Sequence, residues 1–250
     1  MTFWVRCAGS RAKSRQVAGG TLIELDKVIG ESFQVLVDAS PNTGNLNQAW
    51  PFLAYLTNNP DGYAGLGVRA LPAMFREHMG NDETPLHVLQ RVAAPVSVQQ
   101  LVGRYWARMA YLDIGHKQAQ DAFMANRARL NFANLTASGS GNYAVRPERR
   151  PRYFGANIVP LQSMGEVSVR ITSSASFTAM LAVRASDGSV RYIDLVAGEG
   201  TANVAPDEEV SLVVVNTPDA LIQYDPFQVG PEVTRGLDYR VQLSGATPAD

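Results

Sequence analysis

The spacing of apolar residues changes once along this chain of 250 residues, and this change constrains the fold more than any single motif does. Between about residues 21 and 133, apolar side chains recur every three or four positions, which is typical of amphipathic helices. After the small and polar run 138–142 they alternate with polar side chains, which is typical of half-buried strands. The pattern predicts an α+β protein, with an N-terminal α-helical domain followed by a C-terminal antiparallel β-sandwich.

The clearest predicted helix begins at Ser97. Ser97 and Gln100 have the spacing of a capping box, in which each side chain bonds to the backbone N–H of the other. Apolar residues follow at helical spacing: Val98, Leu101, Val102, Tyr105, Trp106, Met109 and Leu112. Pro85, after Thr84, marks another helix start. Further helices are predicted within 50–56 and 71–75 and from His116 to about residue 132.

The strand predictions come from five runs after residue 160. Asp187-Gly188 lies between two of them and is typical of a hairpin turn. The runs are 167–172, 177–183, 190–195, 209–216 and 237–244. The resulting segments are a basic, flexible arm (1–20), an α-helical domain (21–135), a linker (136–155) and a β-sandwich domain (156–250).

Composition excludes several classes of protein. Charged residues are 18% of the chain and hydrophobic ones 46%, which argues against a disordered chain or a highly charged coiled coil. The formal net charge of −1 gives no reason to expect nucleic-acid binding. No apolar run is long enough to predict a membrane span. The single cysteine, Cys7, excludes an intrachain disulfide and a cysteine-based zinc cluster.

Known catalytic motifs are not found in the sequence. The three histidines, His78, His87 and His116, do not form His-Glu-x-x-His, and surface or hydrogen-bonding roles are favoured for them. The run 138–141 imitates a serine elbow, but its composition favours a flexible linker. Residues 58–62 have oxygens that suit calcium, although a plain turn is the favoured interpretation.

Three charged groups are distinctive by position. Glu31 is an acid within an otherwise apolar helical pattern. Arg104 and Arg108 are four residues apart and share one face of the predicted helix, for which a solvated surface is the favoured interpretation. The arginines of 146–152 alternate with prolines, which favours a stiff connector over a site for an anionic sugar or phosphate.

Several strings resemble the Svx/AvrXca family of secreted virulence and avirulence proteins from plant-associated bacteria, over about residues 24–248. The strings are 50–61 (WPFLAYLTNNPD), 83–86 (ETPL), 102–111 (VGRYWARMAY), 157–161 (NIVPL) and 213–218 (VVVNTP). The resemblance implies a gluzincin-like zinc metallopeptidase with a His-Glu-x-x-His helix, a later glutamate ligand and a β-rich C-terminal domain. It also implies secretion.

The sequence departs from this pattern at the zinc site. The histidine pair would lie before residue 24, where the chain has a basic and polar start. Glu31 matches the later glutamate, but catalytic zinc needs three protein ligands. We therefore interpret the chain as the C-terminal part of a family member, or a metal-deficient one, that binds cell-wall polysaccharide or protein.

Two alternatives remain open. One is a purely structural fragment. The other is a hydrolase, metallopeptidase or esterase/lactonase-like, with its site at the helical–sandwich junction, zinc or calcium as cofactor and a peptide or small ester as substrate. For the hydrolase we assign Glu31, Tyr105 and His116 as catalytic candidates, Arg104, Arg108 and Trp50 as ligand-binding candidates, and Glu31 as a metal ligand.

Overall fold

The computed structural model describes residues 28–36, 49–80, 83–224 and 230–249. The predicted basic arm, and the first residues of the predicted helical domain, lie outside these ranges. Within them, helices come first and strands follow, as the change in spacing predicts. The mixed α+β class is confirmed.

The helices have the following bounds. After a helical turn at 28–30 come α1 (Trp50–Asn58), α2 (Ala70–Glu77), α3 (Pro85–Val92), α4 (Val98–Met109), α5 (Lys117–Asn126) and, late in the chain, α6 (Pro231–Thr234). Short 3₁₀ helices cover Arg127–Arg129 and Pro147–Arg149. The capping box that starts α4 is confirmed, because Ser97 Oγ accepts from the Gln100 N–H at 3.1 Å and Gln100 Oε1 accepts from the Ser97 N–H at 3.3 Å.

Eight strands form one antiparallel sheet. They are β1 (Leu135–Gly139), β2 (Asn142–Val145), β3 (Ala156–Ser173), β4 (Phe177–Arg184), β5 (Val190–Asp194), β6 (Glu199–Asn203), β7 (Glu209–Asn216) and β8 (Tyr239–Pro248). Their order in the sheet is β1-β2-β8-β3-β7-β4-β5, and β6 also pairs with β3.

The long strand β3 organises this sheet. Its first part, 156–161, pairs with β7, its later part, 166–170, pairs with β6, and β8 runs along its other edge. Strands from both parts of the sheet contribute to one apolar core, which contains Leu181, Leu212 and Val241. Backbone hydrogen bonds join all eight strands into one sheet. The strand pairing therefore does not confirm the two separate sheets of a sandwich.

A second core joins the helices to the other face of β3, β4 and β7. Val213 and Val215 of β7 belong to it, whereas Leu212 and Val214 belong to the first core. Strand β7 is therefore buried on both faces, which explains its continuous apolar run. Helix α4 approaches β4 so closely that a Cβ at Gly103 would lie 2.7 Å from Thr178 Cγ2.

The segment predicted as a linker is structured. Residues 135–145 form the hairpin β1–β2, which pairs with β8, so the sheet begins at Leu135. The small polar residues that suggest a linker form the turn of this hairpin, where Gly141 has φ 68°.

Arginines in the rest of this segment bind other parts of the chain. Arg149 Nη1 donates to the Gly30 carbonyl at 2.6 Å, and Arg152 Nη1 donates to Gln34 Oε1 at 2.5 Å. Arg150 pairs with Asp238 at 3.0 Å. These contacts hold residues 28–36 and the segment just before β8 against the residues that lead into β3, so the arginines stabilise the fold.

Candidate functional site

Arg108 on α4 lies at the centre of a network of polar side chains between the helices and β5. Its Nε and Nη2 donate to the two carboxylate oxygens of Asp61 at 2.9 and 2.8 Å. Its Nη1 donates to Asp113 Oδ2 at 2.5 Å and to the Asp113 carbonyl at 2.9 Å. The hydroxyl of Tyr55 donates to Asp61 at 2.9 Å, and that of Tyr192 donates to Asp113 at 2.7 Å.

The charged side chains at the centre of this network pair with one another. The side chain of Arg108 is only 10% exposed, and two carboxylates surround it. Burial, and then the negative charge of the neighbouring aspartate, raises the pKa of both Tyr55 and Tyr192, so both remain hydrogen-bond donors. Because the nitrogens of Arg108 already have protein acceptors, the arrangement holds α4, the 59–63 turn and β5 together.

Arg104 lies one turn before Arg108 on the same face of α4. Both guanidinium groups lie over the ring of Tyr192, each 5.0 Å from its centroid. Arg104 is 4.0 Å from Asp61 and 3.7 Å from Asp194, distances longer than those of Arg108. The predicted common face is confirmed, but the interpretation of it as solvated is wrong for Arg108, because the sheet covers it.

Tyr105 and Trp50 lie in the aromatic core. Tyr105 is fully buried, with its ring centroid 4.9 Å from that of Phe52 and 5.0 Å from that of Trp106. Burial raises the pKa of Tyr105. Trp50 begins α1 and is half-buried, and its buried Nε1 has no hydrogen-bond partner among the described residues.

Glu31 and His116 are placed by different contacts. Glu31 lies in the turn after 28–30, a segment that bonds to the start of β3, where the Ala156 N–H donates to the Ser32 carbonyl at 2.7 Å. His116 is exposed and caps α5, with Nδ1 accepting from the Ala119 N–H at 3.2 Å. In the described ranges, no hydrogen bond or ion pair joins either residue to the network around Arg108. Their catalytic roles stay predictions.

Metal ligands do not cluster in the part of the chain that the structure describes, where no group of three histidine, cysteine or acidic side chains could hold an ion. The turn at 58–62, with its alternative role in calcium binding, uses its oxygens within the protein. Asn59 has φ 46°, and its Oδ1 accepts from the Tyr63 N–H at 2.8 Å. The Asp61 carboxylate binds Arg108. The predicted turn is confirmed, and calcium binding stays the alternative.

A groove, which we call the serine groove, lies between the β3–β4 turn and the segment after β7. Its volume is about 610 Å³, and a neighbouring hollow of about 450 Å³ shares Ser173, Ala175, Ser176 and Asp219 with it. Neutral polar side chains line the larger part: Gln99, Thr172, Ser173, Ser176, Thr178 and Thr217. Phe177 and Leu195 add apolar surface, and Asp219 is the one charged side chain in the described lining.

Hydrogen bonds within the protein orient the polar groups of the serine groove. Gln99 Nε2 donates to the Pro218 carbonyl at 2.9 Å, and Ser176 Oγ donates to Asp219 Oδ1 at 2.7 Å. Each hydroxyl and amide still has lone pairs or protons to offer a ligand. Sequence reasoning missed this groove, because its residues come from four separate segments of the chain and the run 173–176 indicates only a polar turn.

The comparison with protein families gives a clear match, in which a family model covers residues 42–250. The chain belongs to DUF6055, a family of unknown function. The match to DUF6055 does not test the resemblance to the Svx/AvrXca family. That resemblance, and the secretion and virulence that it implies, stay predictions. No curated protein matches the chain.

Solved structures give only weak likenesses to this DUF6055 chain. A family two carbohydrate esterase from Clostridium thermocellum, in complex with cellohexaose, matches with a TM-score of 0.26 and 10% identity over 47% of this chain and 31% of that one. The ZmpB metallopeptidase from Clostridium perfringens matches with a TM-score of 0.21 and 12% identity, over 36% and 18%. Both likenesses are too weak to support an argument. No helix in the described residues is long and apolar enough to cross a membrane.

Proposed function

We propose that the protein is a binding module that takes a neutral, hydroxyl-rich polysaccharide, such as a cell-wall glycan, in the serine groove. The observation that carries this proposal is the lining of the groove, which combines neutral hydroxyl and amide groups with the aromatic ring of Phe177. A sugar presents the same two kinds of surface, since its hydroxyls need hydrogen-bond partners and its C–H faces are apolar.

The size and shape of the groove support an extended ligand. Its volume of about 610 Å³ lies within the roughly 300–1,000 Å³ that is usual for small-molecule sites. The neighbouring hollow continues it past Ser173 and Asp219. A chain of several sugar units can contact both parts, whereas a single sugar fits within one.

The charge of the groove favours a neutral ligand over an acidic one. Asp219 is exposed and has one carboxylate oxygen that accepts from Ser176. Its other oxygen can accept from a sugar hydroxyl, and a charge-assisted bond of this kind is stronger than a neutral one. A polyanion such as a pectic acid would be repelled by the same carboxylate.

The ion pairs of Arg108, a predicted ligand-binding residue, also agree with a binding site elsewhere in the protein. Its donors are occupied by Asp61 and Asp113, so this residue stabilises the junction between helices and sheet. The serine groove lies elsewhere, beside β3, β4 and the residues after β7.

Affinity electrophoresis against a panel of polysaccharides tests this proposal. We expect the chain to be retarded by at least one neutral glycan, such as a β-glucan, xylan or mannan, and not by polygalacturonic acid. Retardation by the polyanion alone would contradict a neutral-ligand groove. Release of reducing sugar or acetate from a retarding glycan would contradict a purely binding role, and loss of that release with EDTA would indicate a metal-dependent hydrolase.

A further inference from the structure

Helix α4 reaches the serine groove with its first turn. Gln99 is the second residue of α4, is half-buried and lines the groove. Gly103 lies one turn later on the same face of the helix. The groove therefore borders on the helices, although most of its lining residues belong to the strands and to the segments between them.

The contact at Gly103 fixes one part of the groove against α4. A Cβ built on Gly103 would lie 2.7 Å from Thr178 Cγ2, so the helix backbone packs directly on Thr178. Thr178 lines the groove and lies on β4, which pairs with β7 along residues 177–184. Its hydroxyl is 2.9 Å from that of Thr217, which also lines the groove. Sheet pairing and packing against the helix thus hold this part in place.

The backbone of residues 218–219 depends on a different contact with α4. The pairing of β7 with β4 ends at Asn216, so these residues lie beyond the paired strands. Gln99 Nε2 donates to the Pro218 carbonyl at 2.9 Å and to the Asp219 carbonyl at 3.4 Å. In the described ranges no other group donates to either carbonyl. The side-chain amide of Gln99 therefore holds this backbone.

The position of the Asp219 carboxylate follows from this hold on its backbone. Asp219 is exposed, and Ser176 Oγ donates to its Oδ1 at 2.7 Å. One hydrogen bond at its carbonyl and one at its carboxylate together restrict the place of the remaining oxygen, Oδ2. An acceptor that is fixed before the ligand arrives gives a higher affinity, because less motion is lost on binding.

We propose that Gln99 is a positioning residue of the serine groove and acts on the ligand through Asp219. This inference rests on the proposed function, in which Asp219 accepts a hydrogen bond from a sugar hydroxyl. By fixing the 218–219 backbone, the amide of Gln99 holds the free carboxylate oxygen of Asp219 at the groove. The helical part of the chain thereby contributes to glycan binding at a site that is lined mainly by other parts of the chain.

Calorimetric titration of the full chain with a neutral oligosaccharide tests this role. Gln99→Met removes both donors and keeps the length and helix propensity of the side chain. We expect it to weaken binding roughly fivefold, which is the size of one neutral hydrogen bond. The control Gln120→Met removes a half-buried glutamine of α5 that donates to the Tyr111 carbonyl at 3.3 Å, away from the groove lining, and should keep the affinity. An unchanged affinity in Gln99→Met would overturn the proposal.

The same titration in an Asp219→Ala background separates positioning from direct contact. A residue that acts only through Asp219 has no carboxylate to position there, so Gln99→Met should change the affinity by less than about twofold. Equal weakening in both backgrounds would show that Gln99 contacts the glycan itself, and would overturn the proposal.

Carbon NMR of the free protein gives a measurement that needs no glycan. We expect Gln99→Met to shift the signal of the Asp219 carboxylate, because its bond with Ser176 loosens. The signal of Asp207, which accepts from Ser186 at 2.9 Å, should stay in place. An unshifted Asp219 signal would overturn the positioning role even where a glycan binds. A shifted signal in a chain that binds no glycan would refute the proposed function and still support the hold of Gln99 on Asp219.

Discussion

The guanidinium of Arg108 and the carboxylate of Asp61 form two parallel hydrogen bonds, of 2.9 and 2.8 Å, between residues that are 47 positions apart in the chain. Both side chains are nearly buried. This pair joins the turn after α1 to the last turn of α4. Through Asp113 the same arginine also reaches Tyr192 on β5. It therefore joins the helices to the sheet.

We expect Arg108→Gln to lower the free energy of unfolding by roughly 3 kcal/mol, because it leaves two aspartates without their cation in a poorly solvated place. Urea unfolding measures this change. The control Arg170→Gln removes an exposed arginine paired with Glu199 and should leave the unfolding midpoint nearly unchanged. Similar losses in both variants would contradict a special role for Arg108.

The close approach of α4 to β4 gives a second prediction. Gly103→Ala places a Cβ 2.7 Å from Thr178 Cγ2, and the Thr178 hydroxyl is fixed by Thr217 at 2.9 Å. We expect a loss of about 1–3 kcal/mol in the free energy of unfolding, as for other overpacked positions. Thr178→Ser removes the clashing methyl, so the double variant should recover part of the loss. Simple additivity of the two changes would show that the clash is not the cause.

The hairpin between β1 and β2 can be tested with two glycines of nearly equal backbone conformation. Gly141 has φ 68° and Gly62 has φ 69°. A Cβ at Gly141 would lie 2.8 Å from the Leu243 carbonyl oxygen of β8, whereas one at Gly62 meets nothing within 4 Å. Both alanine variants carry the strain of a left-handed residue, about 1–2 kcal/mol. Gly141→Ala should lose clearly more in urea unfolding, and equal losses would contradict the packing of this hairpin on β8.

Glu83 gives a prediction about pH. The hydrogen bond from Arg91, and then that from the Met79 N–H, lowers the pKa of Glu83 to about 2. Since this pKa is below that of the unfolded chain, the stabilisation is present above about pH 4.5 and is lost as pH falls towards 2. NMR titration of the carboxylate should show the low pKa, and Arg91→Gln should raise it. An unchanged pKa in the variant would contradict the assigned cause.

Local sequence signals predicted the local structure. The capping box of Ser97 and Gln100, the turn at 58–62 and the order of helices before strands depend on residues close together in the chain. The partners of Arg108 could not be predicted, because Asp61 and Tyr192 belong to distant segments that only folding brings together. The pairing of β2 with β8 also depends on distant residues, so the sequence could not show that residues 142–145 of the predicted linker belong to the sheet.

The most direct test of the proposed function is calorimetric titration of the full chain with a soluble oligosaccharide from the neutral glycan that retards it most. Two matched variants are compared, because Asp219 and Asp207 are both exposed and each accepts from a serine hydroxyl, at 2.7 and 2.9 Å, but only Asp219 lines the serine groove. We predict that Asp219→Asn weakens binding by about tenfold, in line with the roughly 1.5 kcal/mol of a charge-assisted hydrogen bond, and that Asp207→Asn binds like the unsubstituted chain. Unchanged affinity in Asp219→Asn, or equal weakening in both variants, would contradict the assignment of the ligand to this groove.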